Sequence, residues 1–291
     1  SMAEQNKSVL LIVLAALLWS TGGVLIKATS LDAFQTSLWR SLFASLALFL
    51  FVRPKQFLLD STTVVASLAY MATLILFVLG TKLTTAANAI LLQYTAPIYI
   101  LLLAHIVLNE KMTRIGIITV ALCVVGMAIF FLDKLSPEGM IGNIAALCSG
   151  VAFAVMTVFL RKNKGGEPVS AILFGNIWIV LICAAISFVQ NPSLDAFLLS
   201  PKDALMTGFL GVFQIALPYV LFVKAIKHIP ALEASLLSML EPILNPIWVM
   251  LFVGEFPSVN ALIGGSVIIG AVALQNVVAA RQAGQGVKKP R

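Results

Sequence analysis

The chain has 291 residues, of which 60% are apolar and 11% are charged, and its mean hydropathy is +1.03. Soluble domains carry about 25% charged residues, so this composition excludes an ordinary soluble fold and indicates an integral membrane protein. The formal net charge of +7 comes from short basic clusters between apolar segments. Such clusters do not form a basic patch, so we expect no nucleic-acid partner.

The chain opens with Ser1 ahead of Met2, which we interpret as a cloning remnant within a short tail, residues 1–7. The apolar run that follows is longer than the core of a signal peptide and is predicted to be the first membrane span. Further apolar segments follow, separated by short connections rich in Pro and Gly, and a basic tail covers 281–291. The ten predicted spans are 8–27, 33–52, 61–80, 86–109, 113–132, 138–160, 169–190, 203–226, 231–253 and 258–280.

Lysine and arginine are distributed unevenly between the two sides of these spans. With the N-terminus in the cytoplasm, fourteen of them fall on the cytoplasmic side and four on the opposite side. The positive-inside rule therefore places both termini in the cytoplasm. We expect the protein in a bacterial inner (plasma) membrane.

Two apolar segments, residues 86–110 and 231–255, repeat one another at a constant offset. Each carries a proline at its midpoint and ends on a glutamate. Both landmarks are separated by 145 residues (242 − 97 and 255 − 110), which indicates an internal duplication. The landmarks are Pro97 and Glu110 in the first copy and Pro242 and Glu255 in the second.

The duplication divides the chain into two repeats, residues 8–132 and 138–280, with five spans in each. Because five is an odd number, the second repeat enters the membrane with the opposite orientation. The fold is therefore predicted to be all-α, with ten transmembrane helices in a 5+5 inverted-topology repeat around a central cavity. Pro97 and Pro242 are the predicted hinges, and paired interrupted helices of this kind indicate a transporter with alternating access.

The ninth span carries a polar stripe, Ala234, Ser238, Glu241, Asn245 and Trp248, whose spacing places it on one helical face. A central charge facing lipid costs about 2.5–3.5 kcal/mol, so this face is expected to meet protein or water. Glu241 is a candidate site for a cation or a proton. The alternative is a structural polar contact between helices.

The first copy has Ala96 where the second has Glu241, so the predicted site is asymmetric. Its Gln93 and Tyr94 are candidates for hydrogen bonds to a polar ligand, with bonds between helices as the alternative. Aromatic side chains on cavity helices are candidates for an amphipathic pocket, with core or lipid-facing positions as the alternative. The full candidate set is Trp19, Ser20, Tyr70, Gln93, Tyr94, Phe153, Gln214, Ser238, Glu241 and Asn245.

The remaining charges are interpreted as structural. Glu110 and Glu255 are expected to stabilise the N-terminus of the helix that follows each of them. Arg40, inside the second span, is expected to pair with backbone carbonyls or headgroups, with a ligand role as the alternative. Side chains expected to reach the headgroups from helix ends are those of Lys27, Lys82 and Arg161.

No pattern in the sequence indicates catalysis, a metal or a cofactor. His105 and His228 have no second histidine or cysteine at a ligand-like spacing, so no metal site is predicted. No phosphate-binding loop occurs, so ATP is not expected to drive the protein, and no nucleophile–base pair marks an enzyme. The three cysteines are expected to be small buried hydrophobes: Cys123, Cys148 and Cys183.

Several of these motifs together resemble the EamA family, the ten-helix branch of the drug/metabolite transporter superfamily. They are Trp19-Ser20 followed by Lys27, Trp39-Arg40, and the twin segments that end in LNEK and VGEFPS. The resemblance covers residues 8–280 and implies a central cavity lined by spans 1, 3, 4, 6, 8 and 9. It also implies export or exchange of small metabolites such as amino acids. Ser20 stands where the family usually has glycine, which predicts different packing or substrate contact there.

The main hypothesis is a secondary transporter for amino acids or related amphipathic amines, because Glu241 is able to hold an ammonium group beside aromatic surface. The alternative is a proton-coupled exporter of other small metabolites or drugs, with Glu241 as the proton site. A channel is the alternative from another class. The expected partners are a small-molecule substrate, membrane lipids and, as a candidate coupling ion, protons, and the protein is expected to be a monomer or homodimer.

Overall fold

The chain forms a bundle of apolar helices in the computed structural model, and no strand occurs among the residues it describes, which confirms the all-α prediction. Within those residues, eight helices are long and apolar enough to cross a membrane. Arg114–Phe130 and Leu240–Phe252 are shorter apolar helices in the fifth and ninth predicted spans, so the count of ten stays a prediction. The described residues are 2–53, 59–162, 168–225, 228 and 237–286.

The helices follow the predicted spans closely, with several spans built from two pieces. The first half of the chain contains α1 (Met2–Ser20), α2 (Gly22–Ala28), α3 (Ala33–Ala47), α4 (Ser61–Leu83), α5 (Ala86–Gln93), α6 (Ala96–Val107) and α7 (Arg114–Phe130). The second half contains α8 (Pro137–Lys162), α9 (Pro168–Gln190), α10 (Pro201–Phe209), α11 (Leu217–Ala225), α12 (Leu240–Phe252) and α13 (Val259–Gly286). Two π-helical stretches extend α3 and join α10 to α11, Leu48–Val52 and Leu210–Ala216.

Both prolines predicted as hinges lie just after a break in their helix. The break between α5 and α6 lies at Tyr94 and Thr95, two to three residues before Pro97. In the second half, a turn at Met239 precedes α12, three residues before Pro242. Proline lacks the N–H of a regular helix and clashes with the preceding turn, so a break on its N-terminal side is expected. Tyr94 and Met239 are again separated by 145 residues (239 − 94).

The two copies also end alike. A residue with a left-handed backbone follows each helix, with φ +53° at Asn109 and +76° at Gly254, and each directly precedes the terminal glutamate of its copy. These residues are separated by 145 positions as well (254 − 109). The shared break and shared ending support the duplication inferred from the sequence. The matching C-terminal hydrogen bonds run from Leu108 N to Ala104 O at 3.0 Å and from Val253 N to Val249 O at 2.9 Å.

Helices of the two halves pack closely where small residues meet. The helix α4 lies against α8, and a methyl group added at Gly80 would lie 3.1 Å from the carbonyl oxygen of Gly142. Small residues at such contacts let the two helices approach closely. This matters in a membrane, because the hydrophobic effect does not drive helices together within lipid and their association depends on close packing. Cys123 and Cys183 are buried as predicted, whereas Cys148 is exposed, so the prediction is wrong for that residue.

Candidate functional site

The polar stripe of the ninth predicted span faces the first half of the chain. The Tyr94 hydroxyl donates a hydrogen bond to Glu241 Oε2 at 2.8 Å and lies 3.4 Å from the carbonyl oxygen of Ser238. About two turns further along α12, Trp248 Nε1 donates to Ser20 Oγ at 2.9 Å. The stripe therefore meets protein, as its charge requires in a membrane.

The Tyr94–Glu241 contact joins the two proline-associated breaks. Tyr94 occupies the break between α5 and α6, and Glu241 lies two residues after the turn at Met239. Glu241 is half-buried as a residue, and its carboxylate accepts the hydrogen bond of Tyr94 between the two breaks. A broken helix exposes backbone polar groups, and these are tolerated at membrane depth where they face protein or a watery cavity. The stripe member Ala234 lies outside the described residues.

The buried amide side chains of Asn245 and Gln214 pack closely against Gly22 and Gly23, the first two residues of α2. Asn245 is 1% exposed, and a methyl group at Gly23 would collide with its Oδ1. Gln214 is 5% exposed, and a methyl carbon at Gly22 would lie 2.8 Å from its Nε2. Within the described chain, both amide atoms of Asn245 and Oε1 of Gln214 have no hydrogen-bond partner. A buried amide left unpaired costs about 1–3 kcal/mol, so these atoms are suited to binding a polar ligand.

The glycine pair follows a break in the first span that the sequence analysis did not identify. Helix α1 ends at Ser20 and α2 begins at Gly22, with Thr21 between them. Ser20 is buried and donates to the Leu17 carbonyl oxygen at 2.6 Å while it accepts the Trp248 hydrogen bond. Two adjacent glycines inside an apolar span were the available signal, because glycine weakens a helix.

Three other predicted site residues lie on neighbouring helices without a described hydrogen bond to Glu241. Gln93 ends α5 and is partly buried. The Trp19 ring packs on Phe222, with 5.6 Å between ring centroids. Phe153 on α8 is 39% exposed, which fits either a lipid-facing side chain or a cavity wall.

Tyr70 lies in a separate buried cluster between α4 and α9. Its side chain is 6% exposed, and its hydroxyl accepts a hydrogen bond from Asn176 Nδ2 at 3.0 Å. It also packs against Gly175, where an added methyl group would collide with its ring. The contacts described for Tyr70 do not bring it to the Tyr94–Glu241 pair.

The two halves are also tied together at the end of the bundle where α2 ends. Lys27 Nζ lies 2.8 Å from Glu255 Oε2 and donates to the Thr84 carbonyl oxygen at 2.8 Å. Glu255 Oε1 accepts from the backbone N–H of Ala86 at 2.7 Å. We call these contacts of Lys27, Glu255 and Ala86 the Lys27–Glu255 latch.

The latch differs from the roles that the sequence predicted for its charges. Glu255 was expected to stabilise α13, the helix that follows it, but its carboxylate binds the first turn of α5 in the other half. Lys27 was expected to reach the headgroups, but its side chain is only 15% exposed and lies in the ion pair. A carboxylate stabilises any helix N-terminus that lies close enough in space. The position of Glu255 along the chain therefore did not identify the N-terminus of α5 as its partner.

Further contacts between the halves surround the latch. Asp203 at the start of α10 accepts hydrogen bonds from both the backbone N–H and the hydroxyl of Ser30. Thr84 Oγ1 donates to Asn143 Oδ1 at 2.9 Å, linking the end of α4 to α8. At this end of the bundle the two halves are therefore held together by hydrogen bonds and an ion pair between residues distant in sequence.

Comparison with known proteins identifies the family. The sequence profile of the EamA-like transporter family matches two stretches of the chain, residues 6–132 and 140–277. The chain belongs to this family. The resemblance inferred from Trp19-Ser20, Trp39-Arg40 and the twin glutamate-ended segments is thereby confirmed.

Individual relatives of this EamA-like chain are named as transporters. An uncharacterized transporter of Archaeoglobus fulgidus is 24% identical over 90% of this chain and 93% of its own length. An uncharacterized transporter of Clostridium kluyveri is 27% identical over 65% of this chain and 63% of its own length. The uncharacterized transporter YdfC of Bacillus subtilis is 25% identical over 81% of this chain and 79% of its own length.

A solved crystal structure shares the fold at low sequence identity. It superposes with a TM-score of 0.65 and 19% identity, covering 95% of this chain and 99% of the other. Together with the family assignment, the apolar helices establish an integral membrane protein that transports small molecules. The relatives are named as transporters, which agrees with the prediction from sequence that this chain is a transporter.

Proposed function

We propose that this EamA-like protein is a secondary transporter that exports or exchanges small metabolites by alternating access. Amino acids and related amphipathic amines are the favoured substrates. The observation that carries the proposal is the 2.8 Å hydrogen bond between Tyr94 and Glu241, which joins the two broken helices of the two halves. A carboxylate held beside an aromatic ring suits an ammonium group, because both the charge and the ring face attract a cation.

The proposed site extends from Glu241 to the amide of Asn245 and to Oε1 of Gln214, which have no partner among the described residues. The amides offer both donors and acceptors, so they complement the polar part of an amphipathic molecule. Glu241 would exchange its hydrogen bond with Tyr94 for a bond to the substrate or to a proton. The other residues proposed to line the path are Trp19, Ser20, Tyr70, Gln93, Phe153 and Ser238, with Pro97 and Pro242 as hinges.

We also propose the inverted 5+5 arrangement, with the repeats at 8–132 and 138–280 and both termini in the cytoplasm of a bacterial cell. Two observations support the duplication that underlies this arrangement. The family profile matches two stretches close to these repeats, and the breaks and endings of the twin segments share one offset. Inverted repeats allow the two halves to exchange conformations around a site at mid-membrane.

Alternating access requires that each end of the site open in turn. The Lys27–Glu255 latch joins the halves at one end of the bundle, and its contacts would keep that end closed. Its breakage would separate α2 and α5 from the segment after α12. The latch is therefore the proposed gate at the end opposite the N-terminus.

Counterflow in proteoliposomes tests the function. Vesicles loaded with unlabelled amino acids, amines or other metabolites should accumulate the labelled form of a true substrate, and uptake should saturate. A channel would carry the solute without counterflow or saturation. Failure of every tested metabolite to drive counterflow, with protein shown to be folded and inserted, would contradict the proposed substrate classes.

A further inference from the structure

Arg40 is a buried cation without an acidic partner in the part of the chain that the structure describes. It lies on α3 and is 1% exposed. Its Nε and Nη2 have no hydrogen-bond partner among the described residues. Among the described residues, the ionisable side chains that interact with it are those of Tyr70 and Cys183, which are uncharged at neutral pH. A buried charge is normally paired, because an unpaired one is costly to remove from water.

Further unpaired donors surround this position. Ser37 and Ser41 lie on the same helix as Arg40, and the three side chains fall within an arc of about 100°. Both hydroxyls are buried and lack a hydrogen-bond partner among the described residues. Helix α9 packs against α3, and one turn after Cys183 it carries Ser187, whose buried hydroxyl is also unpaired in the described chain.

These groups share one chemical character. A guanidinium can only donate hydrogen bonds, and each hydroxyl can donate one. An anion would satisfy several donors together and neutralise the buried charge, and a planar guanidinium binds carboxylates in a matching geometry. A neutral polar ligand would leave the charge of Arg40 uncompensated.

We propose that Arg40, Ser37 and Ser41, with Ser187 from α9, form a buried site for a small monovalent anion or a carboxylate group. The site lies between α3 and α9, on helices other than those that carry the Tyr94–Glu241 contact. It does not depend on the proposed role of Glu241. The anion comes either from dissolved salt or from the carboxylate of a transported molecule.

Thermal unfolding of the purified full-length protein in detergent tests the site. Sodium chloride and sodium formate are titrated separately, with formate standing for a carboxylate. The unfolding temperature of the wild type should rise and saturate with at least one of them, because a ligand that binds only the folded state stabilises it. In Arg40→Met the saturable rise should be lost. A response to formate alone would assign the site to a substrate carboxylate, and a response to chloride would assign it to a dissolved anion.

Variants of the two serines on α3 test the proposal even if Arg40→Met does not fold. Ser37→Ala and Ser41→Ala should each raise the half-saturating concentration roughly tenfold, as expected for loss of a hydrogen bond to a charged group. Ser45→Ala is the matched control on the same helix, because Ser45 already donates to the Ser41 carbonyl oxygen at 2.7 Å. A wild type with no saturable response, or variants that respond as the wild type does, would overturn the proposal.

Discussion

Glu255 and Ala86 are hydrogen-bonded across the two halves of the chain, with 2.7 Å between the carboxylate oxygen and the backbone nitrogen. Ala86 is the first residue of α5, so the carboxylate interacts with the partial positive charge of that helix N-terminus. The same carboxylate pairs with Lys27 at 2.8 Å. One side chain thus holds two helices of the other half, and any opening at this end must release it.

Glu255→Gln should weaken the latch, because an amide loses the ion pair with Lys27. A hydrogen bond to a charged group contributes about 1.5–3 kcal/mol, so the open population at this end should rise roughly tenfold. The measurement is labelling of Ser20→Cys by a membrane-impermeant thiol reagent, in a background without the three native cysteines. Glu138→Gln changes an exposed acid on α8 and is the control. Equal labelling rates in both variants would show that the latch does not gate access.

Gly23→Ala should disturb the contact between α2 and α12. The added methyl group would collide with Asn245 Oδ1 and lie 3.3 Å from the Ala86 side chain. Overpacking of this kind costs about 1–3 kcal/mol, so the unfolding temperature and the transport rate should both fall. Gly270→Ala is the control, because no atom lies within 4 Å of the added methyl group. Similar effects of the two variants would argue against close packing at Gly23.

The sequence predicted the local features of the fold well. Membrane spans require long apolar runs, so their positions were readable, and the fourth helix spans Ser61–Leu83 against a predicted 61–80. The prolines located the breaks at Tyr94 and Met239, because proline disturbs the helix on its N-terminal side. The polar stripe was recognised from its spacing, and its described members meet the other half.

The contacts that define the candidate site could not be predicted in the same way. The partner of Glu255 lies 169 residues away in sequence, and many helix N-termini were equally suitable for a carboxylate. The close packing of Gln214 against Gly22 and of Asn245 against Gly23, just after the break at Thr21, arises only when the folded bundle brings these residues together. The hydrogen bond between Tyr70 and Asn176 on α9 joins two helices and was likewise not readable from the sequence.

The proposed topology can be tested by cysteine accessibility in intact cells and inverted vesicles. Single cysteines in the connections 133–137 and 191–202 should react with an impermeant reagent from the periplasmic side. Cysteines in 54–58 and 162–167 should react only from the cytoplasmic side, because the positive-inside rule places these basic connections there. Reversed accessibility would refute the proposed orientation, and accessibility of both groups from one side would refute the inverted repeat.

Glu241→Gln should separate substrate exchange from proton coupling. The amide retains the size of the side chain and can still accept the Tyr94 hydrogen bond, but it neither carries a charge nor binds a proton near neutral pH. If substrate ammonium and proton compete for this carboxylate, counterflow should persist while accumulation driven by a pH gradient disappears. Affinity for cationic substrates should fall roughly tenfold or more, as expected for loss of a charge-assisted hydrogen bond.

The control for this variant is Glu138→Gln, which neutralises an exposed glutamate and should leave both pH-driven accumulation and affinity unchanged. Glu241→Ala adds a second comparison, because it removes the Tyr94 bond together with the charge. If Glu241→Gln behaves as the wild type while Glu241→Ala unfolds, the glutamate serves to hold α12 against α5. The coupling site would then lie elsewhere. A carboxylate that binds substrate and proton in competition cannot be replaced by an amide without loss of coupling, because the amide does not bind a proton near neutral pH.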